Sequence, residues 1–198
     1  MNHYIEITII PNAEISPHYI WSKLYALVHL ALVEIKDTNE QVAVGVSFPE
    51  YQVSEKNGKV FGWIGTKLRL FAADVVTLER LDLNQWLTRL SDYVHQSSIR
   101  EVPATATPIQ VNRYRPPASM GNLARRMAKR KGCSVEDALA YYQTLKQDKK
   151  DLPFIMLQSL GGQQSFSLCI EQKPCEQIMQ GAFNTYGLSG KATVPNWA

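Results

Sequence analysis

Tyr4-Ile5-Glu6-Ile7-Thr8-Ile9, close to the start of the chain, alternates apolar and polar side chains. This period of two predicts a strand with one buried face. Ser16-Pro17 follows as an N-cap residue and a first-turn proline. Apolar residues then repeat at helical spacing: Ile20, Leu24, Leu27, Val28 and Ala31. The chain therefore begins with a strand followed by an amphipathic helix.

The next seventy residues or so continue this alternation of strands and helices. In chain order the sequence predicts a strand (42–48) ending at Pro49, a polar loop (50–62) with Asn57-Gly58, a strand (67–71), helices capped by Asp74 and Asn84 that run through Leu81 and Leu90, and a weaker strand (94–102). The order β-α-β-β-α-β is typical of a ferredoxin-like fold. We therefore predict a ferredoxin-like domain over residues 1–102.

The rest of the chain reads as a linker and a second domain. Four prolines between residues 103 and 119 predict a linker or irregular arm. The predicted elements of the C-terminal domain, 120–198, are a helix over Met120–Lys131 stopped by Gly132, a helix over Val135–Lys146 opened by Ser134, and a β-hairpin of 152–159 with 165–171 across Gly161-Gly162. The predicted fold class is therefore α+β, with an arginine-rich helix and a β-hairpin in the second domain.

Composition excludes several classes of protein. Of the 198 residues 45% are hydrophobic, which suits one globular domain of moderate size or two small ones and argues against a disordered chain. No apolar run approaches the ~20 residues that span a bilayer, and the N-terminus lacks the pattern of a secretory signal. Three cysteines without a C-x-x-C pair argue against a disulfide framework and a zinc site. We expect a cytoplasmic protein with no membrane partner.

The positive charges are concentrated in one part of the sequence. Between Glu101 and Glu136 there is no acidic residue, whereas seven arginines and lysines occur there. Elsewhere 18 acidic residues outnumber the 14 remaining basic ones. A basic segment on an otherwise acidic chain is typical of a surface that binds a polyanion, although a solvated charged face is the alternative. Because acidic partners are missing, we favour nucleic acid as the ligand.

The predicted helix over Met120–Lys131 carries four of these charges on one side. At 100° per residue the four basic side chains fall within an arc of about 140° and oppose a small apolar side; they are Arg125, Arg126, Lys129 and Arg130. Side chains on adjacent turns suit contact with a phosphate backbone. The alternatives are an exposed helix without a ligand and, less favoured because the apolar side is small, a helix lying on an anionic membrane.

Arg113 and Arg115 form a second basic feature. They stand two residues apart in a proline-flanked stretch, so in an extended chain their side chains point the same way. Arginine forks suit bidentate contact with guanine, and the deep groove of A-form RNA becomes readable at the end of a short hairpin. Taken alone, this pair is a weak signal.

Histidines are the candidate catalytic residues. The sequence has no H-E-x-x-H, G-x-S-x-G, Walker or G-x-G-x-x-G pattern and no tight carboxylate cluster. This disfavours metalloproteases, α/β-hydrolases, nucleotide-binding proteins and two-metal nucleases. His29 is one of four histidines, and a single helical histidine is more often structural or solvated than catalytic. A nuclease built on this chain would use a histidine and the RNA 2′-hydroxyl, without metal.

Motifs along nearly the whole chain resemble one known family. They are Met1-Asn2-His3-Tyr4, His29, Val44-Gly45-Val46-Ser47-Phe48-Pro49, the arginine-rich helix, Asp151-Leu152-Pro153-Phe154 and Thr185-Tyr186-Gly187-Leu188-Ser189. In this order and spacing they resemble the repeat-processing endoribonuclease of type I-F (Ypest) CRISPR systems. The resemblance implies a ferredoxin-like domain and an arginine-rich helix that lies in the major groove of a hairpin.

The resemblance also implies the reaction. The repeat RNA is cut at the 3′ base of its hairpin by 2′-hydroxyl attack, which leaves a 2′,3′-cyclic phosphate and needs neither metal nor cofactor. The enzyme, a monomer when free, then stays on its product and joins the other subunits of the surveillance complex.

Site residues are implied position by position. His29 matches the catalytic histidine, Ser159 the serine that positions the 2′-hydroxyl, and Tyr186 the active-site tyrosine. Phe166 matches an aromatic residue that stacks at the base of the stem, and Arg113 matches an arginine that reads a guanine. Phosphate contacts fall on Arg125, Arg126, Lys129 and Arg130.

Three positions depart from the family pattern. Arg115 stands where a member has a glutamine that reads adenine, so Arg115 contacts either a different base or a phosphate. Lys129 replaces an arginine and loses the bidentate fork. Gly161 replaces a second serine near the active site. Two other interpretations stay open: an RNA-binding subunit of the same fold that does not cut, and a structural subunit needed only for assembly.

Overall fold

The computed structural model describes residues 1–56, 59–145, 150–159 and 164–197. Its strands are β1 (His3–Ile9), β2 (Gln41–Val42), β3 (Gly45–Ser47), β4 (Gln52–Lys56), β5 (Lys59–Trp63), β6 (Lys67–Ala72), β7 (Val94–Gln96), β8 (Arg100–Glu101), β9 (Thr107–Tyr114), β10 (Phe154–Gln158), β11 (Ser165–Pro174), β12 (Phe183–Asn184) and β13 (Val194–Asn196). Its helices are α1 (Pro17–Glu34), α2 (Val75–Glu79), α3 (Leu83–Leu87), α4 (Met120–Lys131) and α5 (Val135–Gln143). The predicted α+β class is confirmed.

Two compact units make up the chain, one of Met1–Tyr114 with Leu152–Ala198 and one of Arg115–Asp151. This division differs from the predicted segments 1–102, 103–119 and 120–198. The reason is long-range strand pairing: β9 lies between β11 and β13, and β12 pairs with β2, so the C-terminal strands fold with strands of residues 1–114. None of the described helices is long and apolar enough to cross a membrane.

The first sheet of the larger unit has the strand order β3-β6-β1-β7, and β8 also pairs with β1. All of these pairings are antiparallel. Ile5, Ile7 and Ile9 are buried, as the alternation in β1 predicts. The predicted fourth strand is present as β7 and β8. It is interrupted at Ser97, whose hydroxyl accepts from the Glu6 amide at 3.0 Å and whose own amide donates to the Glu6 carbonyl.

The predicted strand over 42–48 is wrong as a single element. It divides into β2, which pairs with β12, and β3, which pairs with β6 in the first sheet. Gly45 begins β3 where a side chain would collide with Phe183 and Val194. The chain therefore leaves one sheet and enters another over a few residues, because segments about 140 residues further along pack there.

The sequence predicts a loop over residues 50–62, which is wrong because β4 and β5 form an antiparallel hairpin. Its residues carry few buried apolar side chains, so the hydrophobic pattern on which the prediction depends is weak. The predicted turn Asn57-Gly58 lies outside the described residues.

The predicted irregular arm over 103–119 is also partly wrong, because it contains β9. Pro103, Pro116 and Pro117 lie outside this strand. Pro108 lies inside it, but its carbonyl still accepts from the Cys175 amide at 3.0 Å. A proline in a strand loses only its donor, so proline content alone overestimates irregular structure here.

The helices of the larger unit begin at cap residues. Ser16 accepts a hydrogen bond from the Tyr19 amide at the start of α1, and Asp74 accepts one from the Thr77 amide at the start of α2. The predicted helix capped by Asn84 instead begins at Leu83, and Asp82 takes the N-cap position with a φ of 42°. A short 3-10 turn, Thr88–Leu90, completes it.

The second sheet has the strand order β10-β11-β9-β13. Strands β10 and β11 pair antiparallel, as predicted for the C-terminal hairpin, and the predicted turn at Gly161-Gly162 lies outside the described residues. Helix α1 packs against β10. The sheet that carries the C-terminal motifs is therefore held directly beside the helix that carries His29.

The smaller unit contains α4 and α5, which pack together with Ala124 and Ala138 fully buried. The predicted bounds of α4 are confirmed: Ser119 caps its start, and Gly132 ends it with a φ of 69°. Helix α5 opens at Ser134, whose hydroxyl accepts from the Asp137 amide at 3.0 Å, and ends at Gln143, before the predicted Lys146.

Candidate active site

His29 lies one turn before the end of α1 and is held by the C-terminal part of the chain. Its Nδ1 is 2.7 Å from the carbonyl oxygen of Thr185. Its ring stacks on the Tyr186 ring with centroids 4.0 Å apart and an interplanar angle of 3°. A carbonyl only accepts hydrogen bonds, so Nδ1 carries the proton, and Nε2 is the basic nitrogen of the neutral ring.

The loop of residues 184–188 presents these two contacts. Asn184 closes it: its Oδ1 accepts from the amides of Tyr186 at 2.8 Å and Leu188 at 3.3 Å, and its carbonyl accepts from the Gly187 amide at 2.7 Å. Gly187 has a φ of 69°, which favours glycine, and its carbonyl accepts from the Val46 amide at 3.0 Å. The loop is therefore closed on itself and fixed to β3.

Burial shifts the pKa values of the two stacked rings in opposite directions. It lowers the pKa of His29 below 6.5, against the smaller opposing effect of the hydrogen bond to Thr185. Burial raises the pKa of Tyr186, and the positive charge of Arg113 works the other way. Near neutral pH the site therefore holds a neutral imidazole beside a neutral phenol, which suits a proton acceptor.

Arg113 links this pair of rings to Phe166. Its guanidinium carbon lies 5.3 Å from the centroid of the Phe166 ring, within range of a cation–π contact. The two residues belong to neighbouring strands of the second sheet: Arg113 of β9 lies opposite Ile170 of β11, and Phe166 is four residues from Ile170 on the same strand. The structure thus brings together four of the predicted site residues: His29, Tyr186, Arg113 and Phe166.

Ser159 directly follows β10 and is exposed. Its amide donates to the Gln164 carbonyl at 2.9 Å, which extends the pairing of β10 with β11 by one residue. The strand before it packs on α1, the helix that carries His29. Its predicted role toward the 2′-hydroxyl stays a prediction.

The other predicted RNA contacts belong to the smaller unit. Helix α4 exposes its four basic residues and buries Ala124 on the opposite side, as the helical pattern predicts; the four are Arg125, Arg126, Lys129 and Arg130. Asn122 Oδ1 accepts from Arg125 at 3.0 Å. Arg115 is exposed and begins this unit, one residue beyond the end of β9.

Among the described residues, no group of three or more His, Cys, Asp or Glu side chains is placed to hold a metal ion. The chemistry that the site offers is acid–base chemistry: a hydrogen-bonded imidazole, a stacked phenol and a nearby guanidinium.

Comparison with known proteins identifies the family. Residues 4–197 match the family described as CRISPR-associated protein (Cas_Csy4). The chain belongs to the Cas_Csy4 family. Two relatives, from Escherichia coli (strain UTI89 / UPEC) and Pseudomonas aeruginosa (strain UCBPP-PA14), are each named CRISPR-associated endonuclease Cas6/Csy4. Each is 31% identical over 196 residues, which cover 98% of this chain and 99% of the relative.

A solved structure named CRISPR associated protein Cas6 also aligns with this chain. The alignment covers 98% of both chains at 11% sequence identity, with a TM-score of 0.32.

Sequence reasoning missed three participants in this Cas_Csy4 site. Thr185 acts through its backbone carbonyl, which side-chain patterns do not reveal. Asn184 closes the loop, and its position three residues before Gly187 is the one local signal for this role. Tyr25 donates from its hydroxyl to the Tyr186 carbonyl at 2.9 Å. Its spacing of four residues from His29 is the signal that places both side chains on one helix face.

Proposed function

We propose that this chain is an endoribonuclease that cuts CRISPR repeat RNA at the 3′ base of a hairpin, without metal, to produce mature CRISPR RNA. The observation that carries the proposal is the state of His29. Its Nδ1 donates to Thr185, its ring stacks on Tyr186, and its pKa is lowered by burial. The endonuclease name of the two relatives, whose matches cover 98% of this chain, supports the same reaction class.

In this reaction Nε2 of His29 removes the proton of a ribose 2′-hydroxyl. The freed oxygen attacks the adjacent phosphorus, and the bond from phosphorus to the 5′-oxygen of the next nucleotide breaks. The leaving oxygen takes a proton from water to become a 5′-hydroxyl, His29 returns its proton to the solvent, and the other product ends in a 2′,3′-cyclic phosphate. The RNA supplies the nucleophile and the histidine supplies the base, so no step requires a bound ion.

Tyr186 and Ser159 complete the proposed catalytic set. Tyr186 holds the imidazole plane by stacking, which fixes the direction of the Nε2 lone pair. Ser159 orients the 2′-hydroxyl from the end of β10, a strand that packs on α1. Orientation of the reacting oxygen is a large part of such catalysis, because in-line attack has narrow angular limits.

RNA recognition is divided between the two units in this proposal. Arg113 contacts a guanine and Phe166 stacks on the last base pair of the stem, where stacking is worth ~1–3 kcal/mol. The exposed basic face of α4 tracks the phosphates of the hairpin, and Arg115 contacts a base or a phosphate beside it. The absence of acidic residues between Glu101 and Glu136 supports an RNA surface over a merely soluble one.

The proposal extends to the wider setting of the enzyme. We infer that residues 1–102 contribute a ferredoxin-like arrangement, which the position of β1 between β6 and β7 supports. The enzyme is a monomer when free, acts in the cytoplasm, remains on the product hairpin and joins the other subunits of the type I-F surveillance complex. The second candidate, a subunit that binds the hairpin without cutting it, would share the basic face but would not need His29.

A cleavage assay tests the proposal. Host repeat RNA is incubated in EDTA with the natural chain, with His29→Ala, and with His18→Ala as a control for an exposed histidine on the same helix. We expect His29→Ala to cut about 10²- to 10⁴-fold more slowly, the usual contribution of a general base, with hairpin affinity retained. His18→Ala should cut at the natural rate, and the product should carry a cyclic phosphate.

Two results would contradict the proposal. A natural chain that binds the hairpin and leaves it whole would show that the non-catalytic interpretation is correct. Cleavage that stops in EDTA and returns with a divalent ion would show that the base is not histidine alone.

A further inference from the structure

One face of α1 holds two consecutive carbonyl groups of the 184–188 loop. Tyr25 and His29 are four residues apart and therefore lie on the same side of the helix, one turn from each other. The Tyr25 hydroxyl donates to the Tyr186 carbonyl at 2.9 Å, and His29 Nδ1 donates to the Thr185 carbonyl at 2.7 Å. The loop is thus bound to the helix at two adjacent peptide groups.

Tyr25 is suited to fix a position and not to touch RNA. Its side chain is fully buried, and its ring stacks on Phe48 with centroids 5.9 Å apart and an interplanar angle of 26°. Burial, and to a lesser degree the neighbouring Tyr186, raises the pKa of Tyr25 far above 10, so the hydroxyl keeps its proton and remains a donor. A rigid ring and a permanent donor define where the Tyr186 carbonyl lies.

The loop is restrained from its other side as well. Asn184 Oδ1 accepts from the Tyr186 amide at 2.8 Å, so the peptide groups on both sides of the Tyr186 side chain are hydrogen-bonded. The Val46 amide donates to the Gly187 carbonyl at 3.0 Å. With these restraints the stacked phenol and the Thr185 carbonyl reach His29 together.

We propose that Tyr25 is a positioning residue for the cleavage reaction: its hydroxyl holds the Tyr186 carbonyl, and with it the adjoining 185–186 segment, so that Thr185 fixes the His29 tautomer and Tyr186 fixes the imidazole plane. This proposal rests on the proposed role of His29 as the general base. Tyr25 acts through the loop and contacts neither the RNA nor the reacting atoms.

The principal test compares two tyrosine-to-phenylalanine variants in the full chain. Tyr25→Phe removes one hydroxyl that donates to a backbone carbonyl. Tyr51→Phe removes another in the same unit, where the hydroxyl donates to the Ile170 carbonyl at 3.1 Å. We expect Tyr25→Phe to lower the single-turnover cleavage rate about five- to tenfold with little change in hairpin affinity. Tyr51→Phe should leave the rate unchanged, and equal losses in both variants would overturn the proposal.

Nitrogen NMR of His29 provides a readout that does not depend on cleavage. In the natural chain we expect the neutral imidazole to carry its proton on Nδ1. In Tyr25→Phe we expect a mixture of tautomers, because the Thr185 carbonyl is no longer held at a fixed place. An unchanged Nδ1-protonated spectrum in Tyr25→Phe would overturn the proposal even if the rate falls.

A surface variant loosens the same loop without disturbing the core. Asn184 is exposed, so Asn184→Ala should fold even if Tyr25→Phe does not. It removes the acceptor for the Tyr186 amide, whereas Asn184→Asp keeps an oxygen at that position. We expect Asn184→Ala to give the same tautomer mixture and the same loss of rate, and Asn184→Asp to restore both. A loop that tolerates Asn184→Ala with no change in either readout would count against the proposal.

The two readouts separate this proposal from the one on which it rests. If the natural chain does not cut RNA but its His29 tautomer depends on Tyr25, the proposed function fails and the positioning role stands. If the natural chain cuts and the tautomer is independent of Tyr25 and Asn184, the function stands and the positioning role fails.

Discussion

The His29 site and helix α4 are built in opposite ways. Helix α4 is specified by residues next to each other: Ser119 caps its start, Gly132 ends it, and four basic residues lie on one face. The His29 site joins residues that are far apart in the sequence, since 156 positions separate His29 from the carbonyl that it contacts. The comparison teaches that the basic face of α4 is a local property of the sequence, whereas the hydrogen bonding and stacking of His29 depend on the assembled unit.

The sharpest way to test this contrast is to remove charge from α4. We expect Arg125→Ala with Arg126→Ala to weaken hairpin binding about 10- to 100-fold, because two charge-assisted contacts are lost. The slope of log affinity against log salt should fall by about 2. Filter binding at several salt concentrations measures both.

A matched control removes the same two charges from the larger unit. Arg80 and Arg89 are exposed there, and Arg80→Ala with Arg89→Ala should change affinity less than about twofold. Equal losses of hairpin affinity in the two double variants would show that affinity depends only on the net charge of the protein and not on the position of the charges on α4.

The pH dependence of cleavage tests the other region. Burial lowers the pKa of His29 below 6.5, so the neutral, basic form dominates at pH 7. We expect the single-turnover rate to be flat above pH 7 and to fall about tenfold per pH unit below the His29 pKa, as protonation removes the base. Half of the maximal rate should be reached below pH 6.5. A midpoint above pH 6.5 would place the base elsewhere or show a histidine stabilised in its charged form.

The smallest expected effects come from alanine substitution at two glycines that share one backbone conformation. Gly132 and Gly187 both have a φ of 69°. A side-chain carbon at Gly132 would meet nothing within 4 Å, whereas one at Gly187 would lie 2.5 Å from Val46 Cγ1. Gly132→Ala should cost about 1–2 kcal/mol of stability from backbone strain alone, and Gly187→Ala about 3 kcal/mol because overpacking adds to it.

The two glycine variants should also differ in function. Gly187→Ala displaces the loop that holds His29, so the cleavage rate should fall, whereas Gly132→Ala should leave the rate per bound RNA unchanged. Urea unfolding and single-turnover cleavage measure the two effects. Equal costs in both assays would mean that the 184–188 loop is not a tightly fixed part of the site.

Local signals predicted a large share of the fold. The predicted helix caps at Ser16, Asp74 and Ser134 are confirmed, because such a cap is satisfied within three residues, whereas the cap predicted at Asn84 is wrong. The errors fall where long-range pairing decides. The prolines of residues 103–119 led to an irregular arm being predicted in place of β9. The hairpin of β4 and β5 lacks a buried face, so it shows no hydrophobic pattern from which strands could be predicted.

The candidate site shows the same division. The resemblance to a known family pointed to His29, Tyr186, Arg113 and Phe166 by position, and the structure brings these four together. Neither composition nor periodicity showed the Thr185 carbonyl, the Asn184 closure or the Tyr25 hydroxyl. Backbone groups carry no residue identity, so their roles can be found only when the chain is folded.

The sequence by itself determined the caps and bounds of α4, the basic face and the family to which the chain belongs, because each depends on residue types at short or fixed spacing. Only the tertiary structure decided the tautomer and the lowered pKa of His29. Both depend on desolvation and on a carbonyl brought from the far end of the chain, and these arise when α1 packs beside the second sheet and the 184–188 loop closes on it.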